Sequence, residues 1–256
     1  MSSYSFSSCK GRFYRARSAS MENTIMAGEK FYVAHTDSFE RNDIVVFDYF
    51  GSEYGSSPDE NGNFIQHWEK RIFRLIAISG DSLQIKGGDV FVNGKYAALS
   101  ITGKTSYEVH SIDHIAEFDE MDPSTLSIQK EENYFVYYVS LTNRQAREYA
   151  QKKSGIIRVK KQVLDFMTQE NFYAKESIEG DWSLDRYGPL RIPMPGEKIL
   201  IDSVNLKLYH NIPGIQLGEN ILKEKIYFVM GDNRHAAEDS RFIGFVPHSK
   251  VNGIVK

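Results

Sequence analysis

The sequence predicts a mainly β protein with an antiparallel β core and an inserted α+β second domain. Three observations predict it. Short β-rich runs separated by turn residues fill the stretch from Lys30 to Lys95; similar runs return after residue 196; and the middle third between them mixes acidic, helical and Pro/Gly-rich segments. At 256 residues the chain can bury a sizeable core. A hydrophobic share of 41% with 25% charged residues is that of a folded globular protein, not a disordered or multi-span one.

In chain order, the start is polar. Residues 1–17 carry Lys10, Arg12, Arg15 and Arg17 among serines and tyrosines, with no apolar stretch to act as a signal peptide. No window approaches the roughly 20 apolar residues of a membrane span, so the chain as given is expected to be soluble. Strands are expected at Phe31–Ala34, Ile44–Phe47, Ile72–Ile78, Leu83–Ile85 and Val90–Val92, the last closed by Asn93-Gly94. Residues 106–195 are assigned to the insertion, leaving 18–105 and 196–256 as the core. Within the insertion lie the acidic Glu117 to Asp122, a strand at Tyr134–Leu141, and a polar helix that Thr142 or Asn143 caps and Gly155 stops. A second helix is expected over Val159–Met167. Trp182 to Pro195 reads as loop, because Gly188, Pro189, Pro193 and Pro195 interrupt it. Further strands are expected at Lys198–Ile201, Lys207–Tyr209 and Ile226–Met230, where the chain stops on Gly231-Asp232-Asn233.

Composition excludes several functions. Net charge is −3 with both signs interspersed, so no basic face points to nucleic acid. Cys9 is the only cysteine, which rules out an internal disulfide and a thiolate metal site. Gly103-Lys104-Thr105 fails as a phosphate loop because Ala98 stands where a glycine is required. His110 and His114 have helical spacing around Asp113 but lack a third ligand, and His35, His67, His210 and His248 are scattered. No metal or cofactor is expected.

The densest polar segment runs from Gly231 through Asp232, Asn233, Arg234, His235, Ala236, Ala237, Glu238, Asp239, Ser240 and Arg241 to Pro247. On its residues alone it reads either as a hydrogen-bonded structural turn or as a site. It resembles the last signature segment of bacterial type I signal peptidases, Gly-Asp-Asn-Arg followed by Asp-Ser-Arg and Gly-x-Val-Pro. Three other segments match that family in order: Ser18-Ala19-Ser20-Met21-Glu22-Asn23-Thr24-Ile25, with Asn23 in a proline's place; Asn42-Asp43-Ile44-Val45-Val46-Phe47; and Arg74 to Asp81 continuing to Val90–Lys95. Tyr187–Pro193 is similar to a stretch of some members. A self-cleaving repressor-type Ser/Lys protease shares that core fold but is disfavoured, since the insertion and the Gly231–Pro247 segment look like signal peptidase.

The resemblance implies a β-fold on the exported face of the bacterial cytoplasmic membrane, cleaving signal peptides after Ala-x-Ala sites. It places Ser20 at the nucleophile position, Ser18 at the hydroxyl that completes the oxyanion hole, and Met21 on the substrate groove or membrane side. Without it, Ser20 is an ordinary turn or cap serine and Met21 an apolar edge residue. Asp232, Asn233, Arg234, Asp239, Ser240 and Arg241 then hold the loop beside the site.

The resemblance also exposes a loss. The family's base is a lysine whose amine is desolvated in an apolar site, and Phe73 stands at its position. The serine that orients the lysine is replaced by Ala237. Removing both partners of one hydrogen bond leaves an apolar contact instead of a stranded polar atom, so the two changes read as one coherent loss. Lys70 lies an odd number of residues from position 73 and points to the other strand face unless a bulge re-aims it; Arg71 shares the face but cannot deprotonate. His235 is either a substitute base or a solvated loop histidine. The expected partners are signal peptides or exported polypeptide segments, the membrane surface and an active signal peptidase homologue, with no nucleic acid. An active peptidase with a displaced base is the alternative.

Overall fold

The structure is a computed structural model that describes residues 11–49, 56–58, 64–66, 69–118, 126–152, 154–164 and 182–256. Cys9, His67, Asp119, Glu120, Asp122 and the end of the helix expected at Met167 lie outside these.

The chain opens with β1 (Gly11–Arg15), β2 (Lys30–Ala34) and β3 (Ile44–Tyr49). A small hairpin, β4 (Ser56–Pro58) with β5 (Phe64–Gln66), precedes the ten-residue β6 (Glu69–Ile78). Then come β7 (Ser82–Lys86), β8 (Asp89–Val92) and β9 (Lys95–Ala97), a meander whose β8–β9 turn is Asn93-Gly94, both at positive φ. Next are β10 (Lys104–Ser111), β11 (Leu126–Lys130), β12 (Phe135–Thr142), α1 (Asn143–Lys152) and β13 (Ile156–Lys161). The chain closes through β14 (Arg186–Arg191), β15 (Lys198–Ile201), α2 (Leu206–Tyr209), β16 (Gly218–Ile221), β17 (Ile226–Met230), α3 (Ser240–Ile243), β18 (Val246–Pro247) and β19 (Val251–Val255). The protein is mainly β, as its sequence predicts.

The main sheet has the order β1-β2-β19-β3-β6-β17-β18, all antiparallel. Its centre is buried on both faces, which explains why Ile226–Met230 is apolar throughout and not alternating. On one face Phe73, Leu75, Tyr227 and Val229 join Phe31, Val33, Val45 and Phe47. On the other, Ile76, Phe228 and Met230 pack against Leu83, Ile85, Val90, Tyr187 and Leu190 of the sheet β14-β7-β8-β9. A separate sheet, β11-β12-β10-β13, carries its own core of Val109, Phe118, Tyr137, Val139, Leu141 and Ala146 under α1.

Three local expectations change. Val159–Lys161 continues β13 and is not helical: Lys161, Lys160 and Val159 pair with Tyr107, Glu108 and Val109, and that ladder overrides helix propensity. Residues 186–191, expected as loop, form β14, which pairs with β7; the register shifts between Tyr187 and Leu190, so Pro189, with no N–H to give, sits in the irregularity. Lys207–Tyr209 is a helical turn because the Asp202 carboxylate accepts the amides of Val204 and Asn205 at 2.9 and 2.8 Å and starts it. The described residues of 106–195 include most of the β10–β13 sheet and β14, which pairs with β7, and the polar start becomes a strand from Gly11.

The α1 start is a capping box. Thr142 Oγ1 accepts the Gln145 amide at 3.1 Å while Gln145 Oε1 accepts the Thr142 amide at 2.9 Å. Thr142→Ala is expected to lower stability by about 1 kcal/mol in urea titration, with the loss confined to α1 and its sheet by amide exchange.

Candidate functional site

Ser20 sits in a single 3₁₀ turn, Ala19–Met21, with Ser20 and Met21 buried. Asn233 ties this turn down twice: its amide donates to Ser20 O at 3.0 Å and its Nδ2 to Ala19 O at 3.2 Å. On the far side, Lys104 N donates to Asp232 O at 2.8 Å and Arg234 N to Lys104 O at 3.0 Å. Lys104 Nζ then reaches Glu22, two residues beyond Ser20, at 3.0 Å in a buried ion pair. The β17 exit is therefore laced between the Ser20 turn and β10. Spacing gives no hint of Lys104 and Glu22 meeting, since 82 residues separate them.

The polar segment after β17 is held from within. Asp232 takes Arg74 through both carboxylate oxygens at 2.8 and 2.6 Å. Asp239 caps α3, accepts the Gly231 amide at 3.0 Å and pairs with Arg241, whose guanidinium also donates to Arg234 O. Ser240 Oγ accepts the Val229 amide at 2.9 Å. Burial disfavours the ionised carboxyl of Asp232, but Arg74 and the Thr24 hydroxyl outweigh it and hold the group below its ordinary value. Burial likewise opposes ionisation of Asp185, and His235 outweighs it.

Both carboxyls are thus harder to protonate folded than unfolded. Their stabilisation is complete above the unfolded carboxylate range, about pH 3.9, and is lost as pH falls through their lower folded values. Acid unfolding followed by circular dichroism is expected below about pH 4, with a shallower acid limb and lower neutral-pH stability in Asp232→Asn.

Ser18 Oγ lies 2.9 Å from Ser20 Oγ, a contact between two hydroxyls and not between a hydroxyl and a base. Both serines line a groove of about 510 Å³ with Arg17, Glu69, Lys70, Arg71, Ile72, Phe73, Ala236 and Glu238. Phe73 and Ala237 are 3% and 4% exposed in one apolar cluster with Met21. The Phe73 ring tilts against Phe47 at 6.1 Å. Gly231 brings the three positions together: a Cβ there would stand 2.3 Å from Ala237 Cβ, 2.6 Å from Ser20 O and 3.5 Å from the Phe73 ring. Only glycine fits.

The other bases considered are engaged elsewhere. Lys70 lines the groove, but its ammonium is ion-paired with Asp48, its cross-strand neighbour. Arg71 is paired with Glu69, stacked over Tyr49 at 4.2 Å and donates to Glu238 O at 2.9 Å. His235 is neither solvated nor free: its side chain is 5% exposed, Nε2 meets both Asp185 oxygens at 3.1 and 3.0 Å, and Nδ1 accepts the Ser106 amide at 3.3 Å. Asp185 was missed in the sequence because it lies in a stretch read as loop. His110 and His114 part company, the first to Glu108 and the second to the Tyr137 hydroxyl at 3.0 Å. Among the described residues no helix is long and apolar enough to cross a membrane.

A hydroxyl pair on a buried turn thus lies beside a strand-lined groove in an antiparallel β core. Residues 5–256 match the family described as "Signal peptidase, peptidase S26", and the chain belongs to it. Among curated proteins it is similar to signal peptidase I of Aquifex aeolicus (strain VF5), 40% identical over 62 residues, 24% of each chain. It is also similar to signal peptidase I of Haemophilus influenzae, 50% identical over 40 residues, 16% of this chain and 12% of that one. The matched stretch thus spans about a quarter and about an eighth of these relatives.

Proposed function

We propose that this chain is a signal-peptidase-family protein whose hydrolytic chemistry is lost or strongly impaired, and that it binds exported polypeptide segments in the Ser20 groove. The observation that carries this reading is the packing of Phe73 and Ala237 around Gly231, beside Ser20, with no amine or imidazole among the described residues in hydrogen-bond contact with the Ser20 hydroxyl. In this reading Ser20 keeps the nucleophile position and Ser18 the oxyanion position, Met21 backs the groove, and Asp232, Asn233, Arg234, Asp239, Ser240 and Arg241 hold its wall. Binding needs a backbone edge and not a base. β6 pairs with β17 only from Arg74 onward, so along 69–73 one edge meets no strand among the described residues and suits strand addition by an extended peptide. The work is placed at the exported face of the membrane, with signal peptides or an active homologue as partners. The β10–β13 sheet, with a core of its own, is the centre of the inserted domain.

The test is cleavage of a detergent-solubilised precursor carrying an Ala-x-Ala site by the purified chain and by Ser20→Ala, together with binding of the same signal segment. Binding without cleavage by either form is the expected result. Cleavage that vanishes in Ser20→Ala would instead establish an active peptidase with a displaced base, and Lys70, on the same groove, would be the next residue to replace.

A further inference from the structure

Among the described residues, the buried loop after β17 holds one cation, Arg234, with no carboxylate in ion-pair contact. Asp232 is taken by Arg74, Asp239 by Arg241 and Asp185 by His235. Arg234 lies among them at 5% exposure, and among the described residues no carboxylate comes within ion-pair distance of its guanidinium. Among the described residues Nη1 donates to Met230 Sδ, at 2.8 Å, and Nε is buried without a partner. Burial, and after it the charge of Arg241, pull this guanidinium down to about 10, against the weaker opposing pull of Asp239 and Asp232. A desolvated charge in that state is unfavourable until something of opposite sign reaches it.

Arg234 also lines a small pocket where the β8–β9 hairpin meets β10 and β13, together with Thr105, Lys161, Asp89, Asn143 and Tyr96. The cavity leaves ≈ 20 Å³ for the centre of a water-sized sphere, room for about one small occupant. Lys161 and Asp89 neutralise one another at 2.8 Å, so the uncompensated charge on the wall is that of Arg234.

We propose that this cavity binds a single halide-sized monovalent anion, such as chloride, against the guanidinium of Arg234, at the junction between the β17 exit loop and the β10–β13 sheet. The ion supplies the missing counter-charge. It also bears on the groove, because Arg234 follows the asparagine that holds the Ser20 turn and its own amide is bonded to Lys104. Anion binding here does not depend on whether the chain cleaves peptides.

The full chain is unfolded thermally at constant ionic strength while chloride or bromide replaces gluconate stepwise. Both halides are expected to raise Tm saturably, by about 2–4 °C. Arg234→Met, of similar volume without the charge, is expected to be at least as stable in gluconate and to show no halide response. Crystals grown in bromide give a readout that needs no variant: an anomalous peak beside Arg234 is expected. A Tm that is the same in gluconate and chloride, or a bromide-derivatised crystal with no peak at Arg234, would leave the cavity to water and overturn the site.

Discussion

Phe73→Lys combined with Ala237→Ser is expected to raise cleavage of an Ala-x-Ala precursor by about 10²–10⁴-fold, the usual contribution of a positioned general base. The two positions flank Gly231, whose Cα faces Ser20 O, so an amine at 73 and a hydroxyl at 237 enter the same small volume as the Ser20 turn. The surroundings, Val45, Phe47, Leu75 and Val229, are apolar and buried, the environment that favours a neutral amine. Activity should therefore rise with pH as the introduced amine deprotonates, and that limb should disappear when Ser20→Ala is added. The single Phe73→Lys variant, lacking its hydroxyl partner, is expected to be less stable than the double one and less active. Initial rates across pH, with urea midpoints for each variant, decide the matter. A folded double variant that binds but does not cleave would mean that more than the base has been lost.

Asp239→Ala is expected to be the most damaging single substitution for stability, by about 3–5 kcal/mol. Asp239 is fully buried, pairs with an Arg241 that is 1% exposed, caps α3 and accepts the Gly231 amide at 3.0 Å. Truncation strands a buried guanidinium and two amides together, and each loss adds to the others because they share one acceptor. Removing both charges, as Asp239→Leu with Arg241→Met, should cost less than Asp239→Ala alone, because no unpaired ion remains. Denaturant titration of the three proteins tests this; equal losses in the single and double variants would refute the ion-pair account.

Much of the fold is legible in the sequence because its strands are written twice, by apolar period and by the turn residues between them. Ile226–Met230 announces a doubly buried strand, and Asn93-Gly94 announces its hairpin. The failures are of one kind. Val159–Lys161, Arg186–Arg191 and Lys207–Tyr209 are short, and each takes its state from a neighbour: the β10 ladder, the β7 edge and the Asp202 carboxylate. Local propensity is weak over so few residues, and the partner that overrides it is remote in sequence.

The candidate site divides the same way. The order of segments around Ser18-Ala19-Ser20-Met21 and Gly231 to Pro247 points to the family and gives the residue types at positions 20, 73 and 237, a serine, a phenylalanine and an alanine. Only the tertiary structure decided what those side chains meet. It turned His235 inward onto Asp185, drew Lys70 to Asp48, joined Lys104 to Glu22, and left Arg234 buried with, among the described residues, no ion-paired carboxylate and no partner for Nε. The physical reason is that residue identity is local, whereas the pairing of a buried charge depends on which distant strand folds against it, and sequence spacing carries no record of that distance.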